Sequence, residues 1–418
     1  MKVLVISYYS FPLNAVPCYR IESICEGFSK KGADVTLITR HWDETFTDWE
    51  DVLSSHLEPP KIVNEKGYRQ IYLPFQAKFR PVNCRLVNTL KTVKSYVRGN
   101  IQPEIDAYSN FKEYALHLLQ READFDLIYV SAPPHNLVKL ANYLNKKTKV
   151  PFAVDFRDFL NDQYLFLHPN LTIRQKVLNR LTLLHIKRYI KKAKLITTVS
   201  PRLQSIFESI FKIKTVLALN GYEQKYFSND QLQDQHNDVF TIRYIGTAYK
   251  GLNFDPIIGG LKKFKSTYPD KSFKIELIGI HNESLEQSFK KEFSKEELTI
   301  VKNRIPKKKV VDKVVNADVL LLVWNLYKDN YGTKVFDYLA SGSHVLLSPP
   351  DNGVVQKLIE DYDNGSVANS PTEVFSILDS QYACWQKGDN KTRSNAYPEF
   401  ARENIVAGLY ETLKKEVK

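Results

Sequence analysis

The stretch that most constrains the fold of this chain runs from Asp318 to Pro350. Asp318-Val-Leu-Leu-Leu-Val-Trp324 is a short unbroken apolar run, the pattern of a strand buried on both faces in a parallel sheet. Asn325 to Gly332 reads as the polar loop after it, and Thr333 opens a helix on which Val335, Phe336, Leu339 and Ala340 share one face. Gly342 is placed to end that helix, and His344 to Ser348 returns as a strand. In open sheets built from such units, ligands bind beyond the carboxyl ends of the strands, where amides at a helix start face an anion. Asp329 and Asp337, with seven residues between them, bracket the helix start, so both could reach a ligand docked on the amides. The bland alternative is a solvated loop acid and a helix-surface acid.

Other segments repeat the alternation. Val3 to Ile6 reads as a first strand, Ser7 to Pro17 as its loop, Arg20 to Lys30 as a helix and Asp34 to Thr39 as a second strand. His41 to Asn100 is irregular, aromatic and basic, with a strand expected near Ile71 to Leu73. Glu104 to Glu122 is helical in pattern, Asp126-Leu-Ile-Tyr-Val130 a strand, Leu137 to Asn145 a helix and Pro151-Phe-Ala-Val-Asp155 a buried strand. Leu195 to Val199 is another strand, with Ser200-Pro201 as a helix start. Asn220-Gly221-Tyr222 is a turn, and the polar run Ser228 to Asp238 fits the edge of a linker. Strands then recur at Phe240 to Ile245, Phe273 to Ile278 and Leu298 to Val301, with helices at Phe254 to Phe264, Lys307 to Val315 and Pro398 to Lys415.

These segments resemble the retaining glycosyltransferases of family 4, which have the two-domain GT-B fold. The family carries two acids separated by seven residues, then an aromatic, a small-residue pair and Gly. The matching positions are Asp329, Asp337, Tyr338, Ala340 and Gly342. Ser131-Ala-Pro-Pro-His135 and Asp155-Phe-Arg-Asp158 resemble a subgroup with Ser-x-Pro-Pro before a helix and Asp-x-Arg-Asp after the next strand. The resemblance implies an α/β chain of two Rossmann-like domains facing across a cleft: residues 1–220 for the acceptor, 221–395 for the nucleotide sugar, and a terminal helix, 396–418, returning to the first domain.

It also implies roles. The first acid, Asp329, would contact the donor sugar, together with loop amides near Gly332 and Thr333, and Asp337 would accept the ribose hydroxyls. Gly246 and Lys250 would meet the diphosphate, with Lys334 as a further cation, and Arg304 and Ile305 would hold the base. His135 and Asp158 would face the transferred sugar and acceptor. Asn14, Arg20 and Arg157 would shape the acceptor side, with a helix-surface cation as the plainer role for Arg20 and a local ion pair as the plainer one for Arg157 and Asp158. The sequence departs from the family in three places: both acids are Asp rather than Glu, the glycine pair of the first loop is replaced by Asn14-Ala-Val-Pro17, and Thr247 stands where an Arg is common. These departures keep open a catalytically degenerate GT-B protein that binds nucleotide sugar or a partner, and the shared fold keeps open a GT-B sugar-nucleotide epimerase.

Length and composition bound the rest. A chain of 418 residues, 43% of them hydrophobic, suits two ordinary α/β domains. The opening apolar run is too short for a signal-peptide core, which makes the cytoplasm the expected location, either free or against the inner face of the cell membrane. Cys18, Cys25, Cys84 and Cys384 have neither zinc spacing nor a disulfide framework. Asp124-Phe-Asp126 and Asp361-Tyr-Asp363 sit where turns favour Asp, so no metal or cofactor is expected beyond the donor substrate. The net charge of +12 is clustered: nine Lys or Arg against one acid in 61–98, and eight against none in 174–194. The second cluster has helical spacing through Val177, Leu178, Leu181, Leu184 and Ile190. It fits an anionic membrane surface, or a surface helix that buries its leucines and solvates its bases. Nucleic acid is not expected, since no binding motif is present.

Overall fold

The computed structural model describes residues 1–43, 53–77, 85–102, 105–122, 124–158, 172–227, 237–249, 251–269, 273–303, 305–324, 330–388 and 397–417. The chain divides into two compact units, Met1–Leu219 with Ile405–Lys418, and Asn220–Asn404. No helix among the described residues is long and apolar enough to cross a membrane.

The first unit contains β1 (Lys2–Ser7), α1 (Val16–Lys30), β2 (Asp34–Arg40), β3 (Lys61–Glu65), β4 (Tyr68–Leu73), α2 (Arg85–Val97), α3 (Ala107–Arg121), β5 (Leu127–Ala132), α4 (Asn136–Thr148), β6 (Phe152–Phe156), α5 (Ile173–Ile190), β7 (Leu195–Thr198), α6 (Pro201–Phe211) and β8 (Thr215–Leu217). Its sheet runs β3-β4-β2-β1-β5-β6-β7-β8 and is parallel except for the β3–β4 hairpin. Between His41 and Asn100, the described residues thus hold β3 and α2 besides the strand expected near Ile71 to Leu73. The hairpin is hard to see because β3, Lys-Ile-Val-Asn-Glu, has only two adjacent apolar residues and lies at an exposed edge, where partner strands rather than burial define it.

Apolar runs in β1, β5 and β6 are buried on both faces, as a central parallel strand requires. One face packs on α3, α4 and α6 through Leu140, Leu144, Phe111 and Phe207. The other packs on α1 and on the last turns of the terminal helix, where Val406, Leu409, Tyr410 and Leu413 join Phe28, Cys25 and Val3. A Cβ on Gly27 would meet Val406 Cγ1 at 2.5 Å, so Gly is what lets the terminal helix approach α1.

The second unit contains β9 (Phe240–Ile245), α7 (Asp255–Thr267), β10 (Phe273–Ile278), α8 (Glu283–Glu292), β11 (Leu298–Val301), α9 (Lys307–Val315), β12 (Val319–Leu322), α10 (Thr333–Ser341), β13 (His344–Leu347), α11 (Val354–Glu360), β14 (Gly365–Val367) and α12 (Pro371–Gln386). Its six strands are all parallel, in the order β11-β10-β9-β12-β13-β14. The terminal helix, α13, spans Arg402–Val417, and the expected helical stretch before it is a separate 3-10 turn at Pro398–Phe400. Within this unit, Tyr222 N–H donates to Phe400 O at 3.0 Å and Arg402 N–H to Tyr222 O at 2.8 Å. Arg402 also pairs with Glu223 at 3.1 Å and donates to Asn220 O at 2.7 Å. The two segments by which the chain enters and leaves the unit are thus tied to each other.

Candidate functional site

In the second unit, the carboxyl edge of the sheet is shaped by two glycines. Gly246 follows β9 with φ +133, a conformation strained for any residue with a Cβ, and a Cβ on Gly279 would lie 3.3 Å from the Gly246 carbonyl group. Tyr338 of α10 fastens this edge. Its hydroxyl accepts from Ile245 N–H at 3.0 Å and lies 3.3 Å from Ile245 O, so the aromatic of the sequence motif anchors α10 to the end of β9.

α10 is a short helix with an open start. Gly332 at its N-cap provides no side-chain hydrogen bond, which leaves the first amides unclaimed by a cap. A Cβ at Gly332 would come 3.0 Å from the Trp324 ring, and Trp324 Nε1 donates to Asn330 O at 2.9 Å, fixing the backbone just before α10. Thr333 is exposed. Lys334 reaches back to β9: its Nζ donates to Tyr244 Oη at 3.0 Å and stands 4.1 Å from the centre of that ring. No carboxylate among the described residues pairs with it. The residue keeps partial solvent contact, yet crowding around the ammonium pushes its pKa down to about 7.

One turn on, Asp337 is buried, 8% exposed. Its Oδ2 accepts from Lys307 Nζ at 2.5 Å, while Oδ1 has no hydrogen-bond partner. Ser348 at the end of β13 presents a second buried oxygen without a partner. A cation and a carboxylate oxygen that find no countercharge and no donor among the described residues therefore sit three residues apart on one helix start. Ile305 lines a hollow of about 270 Å³ with Arg243, Val301 and Lys309. Lys250, Arg304 and Asp329 lie outside the described residues. Lys307 went unnoticed in the sequence, where it heads a run of three lysines that reads as a solvated helix surface.

In the first unit, His135 lies in the turn after β5 and is 3% exposed. Gln102 Oε1 accepts from its backbone N–H at 2.7 Å and lies 3.2 Å from Nδ1. An amide oxygen only accepts, so the ring proton belongs on Nδ1 and Nε2 carries a lone pair. Nε2 is buried and has no hydrogen-bond partner. Burial lowers the imidazole pKa to about 4, against the pull of the Asp158 backbone carbonyl, so the ring is neutral at pH 7. Gln102, in left-handed backbone at φ 51, carried no sequence signal because it approaches from a loop 33 positions away.

Arg157 locks the same turn. Its backbone N–H donates to Ala132 O at 3.0 Å, Nη2 donates to Pro133 O at 2.5 Å, and the guanidinium lies 5.2 Å from the centre of the Tyr9 ring. The local ion pair expected between Arg157 and Asp158 is replaced by these contacts, and Asp158 is exposed. Asn14 is exposed too, and its Oδ1 accepts from Tyr19 Oη at 3.0 Å.

Arg20 requires correction as a helix-surface cation. It is 5% exposed, and its guanidinium binds Asp155 through Nε to Oδ2 at 3.0 Å and Nη2 to Oδ1 at 2.6 Å, with Nη1 donating to Ala218 O at 2.9 Å. Ser131 Oγ and Thr197 Oγ1 complete the Asp155 shell at 3.2 and 2.8 Å. Burial opposes ionisation of Asp155, but Arg20 outweighs it and holds the carboxyl below its usual range. The helical pattern of α1 placed Arg20 one position from the apolar Ile21, and it is the buried acid on β6 that draws it inward.

Among the described residues, one group of side chains could hold a metal ion: His41, His56 and Glu58, whose ligand atoms lie within 4.8 Å of one another. Of the Asp-x-Asp patterns, Asp124 and Asp126 are engaged by Lys2, at 2.7 Å each.

No protein-family model and no curated protein matches the sequence. Solved structures do. Sucrose-phosphate synthase from Thermosynechococcus elongatus aligns over 99% of this chain and 98% of its own, with TM-score 0.61 and 15% identity. HepE from Anabaena in complex with UDP-glucose aligns over 99% and 100%, with TM-score 0.59 and 14% identity. The trehalose-6-phosphate protein from E. coli bound with UDP-2-fluoro glucose aligns over 100% and 99%, with TM-score 0.59 and 12% identity. The chain has the fold of GT-B glycosyltransferases, with two parallel-sheet domains.

Proposed function

We propose that this chain is a glycosyltransferase that moves a hexose from a nucleoside diphosphate sugar to a saccharide or lipid-linked acceptor, with retention, in the synthesis of a cell-surface polysaccharide or glycolipid. The carrying observation is the start of α10. Among the described residues, Lys334 has no countercharge, the first amides no side-chain cap and Asp337 Oδ1 no donor, all on one short helix. A nucleoside diphosphate supplies each missing partner: phosphate oxygens for the ammonium and amides, a ribose hydroxyl for the carboxylate. The neighbours bound with UDP-glucose and UDP-2-fluoro glucose favour a uridine donor.

In the reaction, the acceptor hydroxyl attacks the anomeric carbon as the bond to the diphosphate breaks, and its proton passes to a donor phosphate oxygen. The amides and Lys334 stabilise the charge that grows on the leaving group.

The test is a panel of nucleotides and nucleotide sugars in thermal shift, followed by nucleoside diphosphate release with saccharide and lipid-linked acceptors and by NMR of the product anomer. A raised melting temperature with UDP and a UDP-sugar, with release and a retained anomer, is the expected result. Conversion of the donor sugar without acceptor would make the chain an epimerase, and a bound donor left intact by every acceptor would make it a binding protein.

A further inference from the structure

The ten exposed large hydrophobic residues of the described chain are unevenly placed. Six lie on two helices of the first unit: Val87, Leu90 and Val97 on α2, and Ile173, Val177 and Leu184 on α5. The helices pack beside one another. Leu90 and Val97 are each 62% exposed, Leu184 is 64% and Ile173 is 82%.

On α5 the arrangement is regular. Ile173, Val177 and Leu184 follow helical spacing along one outward face, while Ile186 and Ile190 turn inward and are buried. Lys176, Arg180, Lys187 and Arg188 flank that outward row, and Lys191 and Lys192 continue it, all exposed. On α2, Lys91, Lys94 and Arg98 are exposed on the same side as Val87 and Leu90. Neither helix contains an acid. A helix that only solvates its charges would bury Val177 and Leu184 and mix both signs of charge. These two helices expose both residues and carry one sign.

We infer that the paired outward faces of α2 and α5 dock on an anionic lipid surface. Apolar side chains in a row with flanking bases suit an interfacial helix: the hydrophobic row enters the acyl boundary while the bases meet lipid phosphates. Charge complementarity selects anionic lipid as the occupant. A protein partner with a hydrophobic, acidic face and a second copy of this chain are the outcomes against it, and a second copy would set bases against bases. The inference extends the proposed function by saying where a lipid-linked acceptor is met, and rests on that reading only there.

The experiment is vesicle sedimentation of the full chain with phosphatidylcholine alone and with phosphatidylcholine containing phosphatidylglycerol, over a salt series. The expected result is binding to the anionic vesicles only, weakened by salt. Lys187→Gln with Arg188→Gln should lower the partition coefficient about 30-fold, from about 1 kcal/mol per base near the surface. Leu90→Ser with Leu184→Ser should lower it further even at low salt, which a purely electrostatic contact would not show. UDP binding by each variant is measured in parallel and should match the parent, so that failure of the surface and failure of the donor site are read separately. Absence of binding to anionic vesicles, sedimentation unchanged in both double variants, or a parent dimer that Leu90→Ser with Leu184→Ser converts to monomer would each overturn the inference.

Discussion

Arg20 and Asp155 stand 135 positions apart and close a two-point ion pair at 3.0 and 2.6 Å in the core of the first unit. The pair joins α1 to β6, and the remaining Nη1 donor fastens the backbone just after β8. Removing one partner leaves a charge without compensation inside the protein, so Asp155→Asn or Arg20→Met should each cost roughly 3–5 kcal/mol of unfolding free energy. Urea unfolding followed by circular dichroism measures it. A loss below about 1 kcal/mol in both variants would place the pair's weight elsewhere.

Asp337 offers Oδ1 to a ligand and Oδ2 to Lys307. Asp337→Asn should weaken UDP binding by roughly 1.5–3 kcal/mol, the worth of a hydrogen bond to a charged group. Lys307→Met, which removes only the support, should cost less. Titration calorimetry on both variants decides, and unchanged affinity in Asp337→Asn would take this residue out of the donor site.

Lys334, with its pKa lowered to about 7, gives the donor site a pH signature. Below that value the ammonium is charged and attracts diphosphate. Above it the free protein must take up a proton to bind, so affinity for UDP should decline towards tenfold per pH unit as pH rises above about 7, until the pKa of the complex is passed. In Lys334→Met the decline should flatten. The slope of log Kd against pH between 6 and 9 is the readout, and parallel slopes in parent and variant would contradict the assignment.

His135 works in the opposite direction on stability. Its folded pKa of about 4 lies below the ordinary 6.5, so above 6.5 neither state is protonated and the neutral ring costs nothing. Between 6.5 and 4 the unfolded chain takes up a proton that the folded one refuses, and stability falls as pH falls, by up to roughly 3 kcal/mol. His135→Asn should show a shallower fall over that window in denaturant titrations.

Much of the architecture could be read from the sequence because parallel strands buried on both faces leave continuous apolar runs. Val3 to Ile6, Leu127 to Val130 and Val319 to Trp324 announce themselves in that way. The edge hairpin of β3 and β4 does not, since an exposed edge carries no such run. At the site, Asp337 and Lys334 stood out because they belong to one local helix start. Gln102 and Tyr244 did not, since each meets its partner across distant sequence, and nothing in an isolated Gln or Tyr marks it as a support. Arg20 was misread for a related reason: helical spacing tells which face a residue occupies, but a buried acid on another element decides where a long side chain ends.

The terminal helix has a consequence for how the chain is made. Val406, Leu409, Tyr410 and Leu413 belong to the core of the first unit, yet a ribosome adds them only after every residue of the second unit. The second unit is contiguous in sequence and can complete itself during synthesis. The first waits, with Phe28, Cys25 and Val3 lacking their cover, until the last turns of the helix emerge. The order of completion is the reverse of the order of translation.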